Sequence, residues 1–171
     1  MTKIPIYIPD SEVYLKLGKL ILLLNELSTN SKKEPILTLE KISIFEFLTK
    51  HPMLLNRILY LKNKELIDLN NSEKYSIEAL FLDRGPLFNF STNKVLLNLL
   101  IGYKFINVKI KKDFEVNYFI TQRGIEYAQN LDSQYFKRLK RIYKKITPIK
   151  SLSYSNINKL IEPYLNYGIK D

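Results

Sequence analysis

The stretch FINVKIKKDFEVNYFI, residues 105–120, decides the fold. Apolar and polar side chains alternate in both of its halves, which is the pattern of β-strands that bury one face. The polar trio at residues 111–113 lies between the halves and suits a turn. The stretch therefore predicts a β-hairpin. In the first half one face is expected to carry Ile106, Val108 and Ile110, and in the second half one face is expected to carry Phe114, Val116, Tyr118 and Ile120.

Helical patterns lie on both sides of this hairpin. One helix is predicted over residues 91–101 and another over 122–131, with Thr121 as its N-terminal cap. A shorter helix is predicted over 77–83, just before the turn signal Arg-Gly-Pro at 84–86. The order helix, turn, helix, hairpin, helix indicates a winged helix-turn-helix with the hairpin as the wing. The fold class is mainly α with a small β-hairpin (α+β), with extra helices at both ends.

The chain has the length of one domain, and residues 1–171 are predicted to form a single one. Two prolines near the start disfavour helix at the residues before them, which indicates an extended arm. The predicted parts are the arm at 1–10, an N-terminal helical part at 11–70, the winged-helix part at 71–132, and basic C-terminal helices at 133–171.

The composition excludes several kinds of chemistry. The chain has no cysteine, so disulfides, thiolate metal sites and cysteine nucleophiles are ruled out. Its only histidine, His51, lies at a break between two predicted helices and is interpreted as a capping or packed residue. The five glycines are isolated, so there is no glycine-rich phosphate loop. We expect no catalytic residue, no metal site and no cofactor, and therefore no enzyme.

The positive charge is concentrated in one part of the chain. The formal net charge is +10, and residues 104–150 carry 12 basic and four acidic side chains. Such a cluster can neutralise DNA phosphates without reading base sequence, although a solvated lysine-rich face is the alternative. The candidate nucleic-acid-binding residues are Lys109, Lys111, Lys112, Lys137, Lys140, Arg141 and Lys144.

Two predicted helices are more apolar than one buried face requires. The helix at 11–27 is apolar on more than one side, so it is either central to the fold or covered by a partner. The helix at 91–101 carries Lys94 as its one basic residue, which is a weak basis for reading base edges in the major groove. A surface packed on protein fits it better. The candidate partner-interface residues are Leu15, Leu22, Leu23, Leu96 and Leu99.

Two segments carry a resemblance to a known family. The sequence LEKISIFEFLTKHPMLLNRI, residues 39–58, resembles the helical opening of the small middle-component proteins of ABC-three-component (ABC-3C) systems. The stretch 96–131, with Thr-Gln-Arg-Gly at 121–124 after the hairpin, resembles their winged-helix part, although many winged helices share it. Together the two segments make the chain similar to the family over roughly residues 10–145.

The resemblance implies a place in a bacterial anti-phage defence complex of the Lamassu kind. In such systems a coiled-coil ATPase that resembles SMC proteins works with an effector, often a nuclease, and the middle subunit bridges or restrains them. The expected partners are thus an SMC-like ATPase, an effector protein and non-specific double-stranded DNA. The family's middle component has no catalytic motif, so no active-site residue is carried over.

Other functions stay open at this stage. A stand-alone winged-helix transcription regulator is the main alternative, and a carboxylate-dependent nuclease is a remote one. The longest purely apolar run, residues 20–24, is far shorter than the roughly 20 residues of a membrane helix. No signal peptide or lipidation motif is evident, so we expect a cytoplasmic protein that does not bind membranes.

Overall fold

A computed structural model describes residues 12–75, 82, 84–88 and 90–165. Over these residues the chain is mostly helical and contains one two-stranded antiparallel hairpin, which confirms the predicted fold class. The elements are α1 (Val13–Leu27), α2 (Leu39–Lys50), α3 (Pro52–Leu61), α4 (Asn71–Tyr75), α5 (Gly85–Phe88), α6 (Phe90–Gly102), β1 (Ile106–Ile110), β2 (Val116–Ile120), α7 (Gln122–Gln129), α8 (Gln134–Ile146), a 3₁₀ turn (Thr147–Ile149) and α9 (Tyr154–Leu165).

Helix α1 lies at the centre of the fold. It packs against α6, β2, α7 and α8, so its apolar residues are covered from several directions by the chain itself. At Gly18 it comes so close to α8 that a Cβ atom would lie 3.0 Å from the ring of Phe136. The buried side chains of α1 are Leu17, Leu20, Ile21, Leu22, Leu23, Leu24 and Leu27.

This burial corrects part of the predicted partner interface. Leu22 and Leu23 are fully buried within the chain's own core, so no partner can reach them in the folded protein. The helix is apolar on more than one side because it is enclosed by the chain itself, so it is central to the fold and these two residues are not covered by a partner. Leu15, nearer the start of α1, is half-buried.

The hairpin pairs most of the apolar residues that the alternation groups together. Ile106 pairs with Ile120, Val108 with Tyr118 and Ile110 with Val116, which places these six side chains on one face, while Phe119 lies on the other. Phe114 was predicted on the apolar face and instead lies in the turn before β2, where it is exposed. On its other edge β2 pairs with Leu37 through a single bridge, in which the Tyr118 N–H donates to the Leu37 carbonyl at 2.8 Å. The segment between α1 and α2 thus extends the hairpin by a third short pairing.

The joint between the hairpin and α7 depends on Thr121 and Gly124. The Thr121 Oγ1 accepts a hydrogen bond from the Gly124 N–H and caps α7 as predicted, while the Thr121 N–H donates to the Phe105 carbonyl at 3.0 Å. A Cβ atom at Gly124 would lie 2.1 Å from that same carbonyl oxygen. Only glycine allows α7 to sit this close to the start of β1.

Helices α2 and α3 meet at His51, which is buried. Its ring lies against that of Phe47, with centroids 4.5 Å apart. Thr38 caps α2, and Pro52 occupies the first turn of α3, where its missing N–H has no cost. His51 is therefore a packed residue at the break between two helices, as its position in the sequence suggests.

The predicted parts of the chain share one core. Buried apolar side chains from α1 through α9 form a single cluster, to which the 11–70, 71–132 and 133–171 parts all contribute. The extended arm predicted at 1–10 and most of the helix predicted at 77–83 lie outside the described residues. The winged-helix arrangement thus stays a prediction here, whereas its hairpin and the helices on either side of it are observed.

Enclosure of α1 makes a quantitative prediction. Leu22→Ala should destabilise the protein by about 3 kcal/mol, because it removes a fully buried side chain from a close-packed core. Tyr14→Ala on the same helix is the matched control, because that side chain is exposed, and it should change stability by no more than about 0.5 kcal/mol. Urea unfolding of both variants measures the difference, and equal midpoints would contradict a central α1.

Candidate interaction surfaces

The three candidate lysines of the hairpin lie at its tip or on its strands and are exposed. Lys111 forms an ion pair with Glu115, with 2.8 Å between Nζ and Oε1. That hydrogen bond, together with one from the Asn117 amide, lowers the pKa of the Glu115 carboxyl. Lys109 and Lys112 make no ion pair with any residue that the structure describes, so their ammonium groups face solvent.

Some basic residues of α8 form ion pairs within the chain, and the others form none with the described residues. Arg138 donates two hydrogen bonds to the carboxylate of Glu73, at 2.9 and 2.5 Å, and a third to the Asp68 carbonyl at 2.6 Å. Lys145 pairs with Glu65. These contacts hold the segment between α3 and α4 against α8. The other basic residues of α8 form no ion pair among the described residues, and they are Lys137, Lys140, Arg141 and Lys144.

All four of these α8 residues are candidates from the sequence. Lys140 is half-buried, and the other three are exposed. The structure therefore brings the α8 candidates together on one helix and the hairpin candidates together on another element. Helix α1 contacts both strand β2 of the hairpin and α8, so the two basic groups lie on elements that pack on the same helix.

Helix α6 carries an exposed apolar stripe. Val95 is 61% exposed and Leu99 is 40% exposed, and a spacing of four places them on the same face of the helix. Tyr103, one turn further on, is also exposed. Leu96 is buried, which corrects its assignment to a partner surface, whereas Leu99 stays a candidate.

The rotation of α6 that exposes Val95 is set by a buried polar contact. The Asn93 amide is buried and donates to the Ser43 hydroxyl at 3.0 Å and to the Glu46 carboxylate at 2.6 Å. Burial raises the pKa of Glu46, and the hydrogen bond from Asn93 partly offsets this. With Asn93 directed at α2, Val95 is turned outward.

A groove of about 750 Å³ lies between the hairpin and the start of α2. Its walls come from α2, from α6, from the hairpin tip and from the turn that precedes α9. The basic residues on its walls are Lys41, Lys94 and Lys111, and the acidic ones are Glu40 and Glu115. Lys111 thus belongs both to the hairpin cluster and to this groove.

Lys41 is a functional candidate that sequence reasoning missed. Only 6% of the residue is exposed, and its Nζ donates to the Lys150 carbonyl at 2.7 Å. Burial lowers the pKa of Lys41 to about 8, and Glu115 and Lys111 act on it in opposite directions. A signal was present in the sequence, because Lys41 shares the helical phase of Phe45 and Leu48, where an apolar residue is expected.

The described residues contain no group of three or more potential ligands placed to hold a metal ion. Within the same residues no helix combines the length and the apolar character needed to cross a membrane. These two findings concern only the ranges given above for the structure.

A family model described as ABC-three component (ABC-3C) system Middle Component 4 matches residues 27–159. The matched range contains α2 to α8, the hairpin and all the residues that line the groove. Comparisons with curated proteins and with solved structures gave no match. The match confirms the resemblance seen at residues 39–58 and 96–131.

Lys41 should make stability depend on pH in a specific way. The pKa of Lys41 is lower in the folded than in the unfolded state, so the unfolded chain binds more protons between about pH 8 and 10.5. The loss of folding stability caused by Lys41 is therefore smallest at the alkaline end of this range. Lys41→Met should therefore raise the melting temperature at pH 7 by about 3 °C, the shift produced by ~1 kcal/mol in a chain of this size. The gain should shrink as the pH rises to 9.5. Lys50→Met, at an exposed position of α2, is the control and should show no such trend in thermal unfolding.

Proposed function

This chain belongs to the Middle Component 4 family of ABC-three-component systems, and on that premise we propose that it is a non-catalytic adaptor. In this proposal it joins an SMC-like ABC ATPase to an effector, such as a nuclease, within an anti-phage defence complex of the Lamassu kind. The observation that carries the proposal is the family match, which spans residues 27–159. The family itself indicates an adaptor in an ABC-3C defence system.

The exposed stripe of α6 supports contact with a protein partner. Val95, Leu99 and Tyr103 present apolar surface on one face of a helix whose opposite face is anchored in the core. Exposed aromatic and aliphatic side chains on a rigid element are typical anchors of protein interfaces. We assign the subunit interface to this stripe, in place of the buried Leu22 and Leu23.

A winged-helix arrangement also belongs to this proposal; α6 and the hairpin keep their predicted places, but α1 and α2 replace the helix predicted at 77–83. In chain order, α1, the Leu37 bridge, α2, α6 and the hairpin follow the helix, strand, helix, helix, wing order of winged helices. Support comes from the contacts of α6 with α1, α2 and β1. Residues 51–89 would then be an insertion between the second and third helices of the motif.

Contact with DNA in this complex would involve the backbone and not the bases. In a winged helix the third helix reads base edges, and here the exposed face of α6 carries Lys94 and Asn98 beside Val95 and Leu99. Such a face has few side chains that can form hydrogen bonds with base edges. The unpaired basic residues of α8 and of the hairpin supply charge for phosphates, and phosphate contacts carry no sequence information.

The stripe on α6 can be tested by assembly. Val95→Asp with Leu99→Asp should weaken binding to the co-expressed ATPase or effector subunits of the same system at least tenfold, since it places two charges in an apolar interface. Tyr60→Asp with Leu61→Asp is the matched control, because these side chains are equally exposed at the end of α3. Size-exclusion chromatography and calorimetry of the purified subunits measure the effect. Normal assembly of the α6 variant at unchanged melting temperature would contradict the interface.

The DNA contact makes a separate prediction. Replacing Lys137, Lys140, Arg141 and Lys144 by glutamine should reduce the slope of log K against log salt concentration by up to about 3.6, if all four contact phosphates of duplex DNA. The control replaces four other exposed lysines by glutamine and should leave the slope nearly unchanged: Lys32, Lys33, Lys62 and Lys64. Fluorescence anisotropy of the assembled complex over a salt titration measures both slopes.

The same titration distinguishes the transcription regulator. A regulator would bind one defined duplex, as the isolated chain, at least about a thousandfold more tightly than random DNA. The adaptor should bind both duplexes with the same weak affinity. A strong sequence preference of the isolated chain would therefore overturn the proposal.

A further inference from the structure

The groove beside the hairpin combines a buried cation with an exposed aromatic ring. Its lining includes Lys41 and Lys94 on the helices, and Phe114, Val116 and Tyr154 around its mouth and walls. Its volume of about 750 Å³ lies within the range of small-molecule and cofactor sites. Convergent polar groups on a partly apolar wall are the usual composition of such a site.

Lys41 supplies the first argument for a ligand. Its ammonium is buried, yet it makes one hydrogen bond, to a carbonyl, and forms no ion pair with any described residue. The nearby Glu115 is already engaged, because its Oε1 accepts from Lys111 Nζ and Asn117 Nδ2, each at 2.8 Å. Glu40, the other acidic residue of the groove, is exposed to solvent. Buried charges in proteins are normally paired, so an anion in the groove would complete this one.

Phe114 supplies the second argument. It is 87% exposed at the hairpin tip, and its φ of 61° lies in the left-handed region that bulky side chains rarely adopt. The turn holds it there, since the Phe114 N–H donates to the Lys111 carbonyl at 3.0 Å. A strained backbone that presents a large aromatic ring to solvent is a feature that concentrates at binding sites. Phe114 and Lys41 both belong to the lining of the groove.

From this combination we propose that the groove is a nucleotide-binding site, in which Lys41 and Lys94 bind a phosphate and Phe114 stacks on the base. The nucleotide can be free or can be part of a single strand, because both carry the same phosphate and the same π-face. The site is separate from the duplex contacts assigned to α8, and it does not depend on the adaptor role.

The test measures binding by the full chain to a fluorescein-labelled deoxythymidine decamer and to thymidine monophosphate. Phe114→Asn removes the ring and keeps a residue that tolerates positive φ, and it should weaken binding about tenfold, within the range of base stacking. Lys41→Met should weaken binding about tenfold as well, within the range of hydrogen bonds to charged groups. Lys32→Met is the control, because Lys32 is exposed, does not line the groove and is not among the candidate DNA-binding residues, and it should change binding less than threefold.

The two ligands distinguish the two sources. If thymidine monophosphate displaces the decamer, the site binds a free nucleotide. If only the decamer binds, the site binds a single strand. Either result supports the proposal when Phe114→Asn and Lys41→Met both weaken the binding. Two results overturn it: no binding of either ligand at 1 mM, or equal binding by wild type and both variants. Subunit assembly and the duplex salt slope are measured separately, so a failed adaptor role remains distinguishable from a failed nucleotide site.

Discussion

The structure depends on the enclosure of one apolar helix. From Leu17 onward every leucine of α1 is buried, so the rest of the chain must surround this part of the helix. Helices α6, α7 and α8 and strand β2 all contact it, and they come from parts of the sequence more than 60 residues further along. This requirement brings the hairpin and the basic helix α8 into one body, although they are separate in sequence.

The sequence alone predicts the helices and strands better than it predicts what packs against them. The hairpin register follows from strict alternation, because a slip by one residue would turn Ile106 and Tyr118 to the wrong face. Helix α8 lies in the segment 133–171, where basic C-terminal helices were predicted, and the structure adds its cap at Ser133. By contrast, the leucines of α1 have the same pattern whether they meet the chain's own core or another subunit. One sequence cannot distinguish these cases, because the hydrophobic effect does not depend on which chain supplies the cover.

The candidate surfaces show where the limits of sequence reasoning lie. In α6 six of the seven residues at 95–101 are apolar, so periodicity does not define the rotation of the helix. The rotation depends on the contact of Asn93 with Glu46, which joins residues 47 positions apart. The groove is also hidden in the sequence, because its walls come from α2, α6, the hairpin and the turn before α9, which are far apart along the chain and come together only in the fold. Only the unusual phase of Lys41 could have indicated it in advance.

The close packing of α7 on the residue before β1 has a mechanical consequence for the hairpin. Because Gly124 leaves no space between the helix and the Phe105 carbonyl, and Thr121 bonds to the same group, the hairpin has no hinge at its base. A load applied at the tip, by whatever the tip touches, must be transmitted into α7 and then along the short connection to α8. The hairpin is thus braced against α7, and the short connection after α7 leads to α8, the helix with the largest number of basic side chains among the elements that the structure describes.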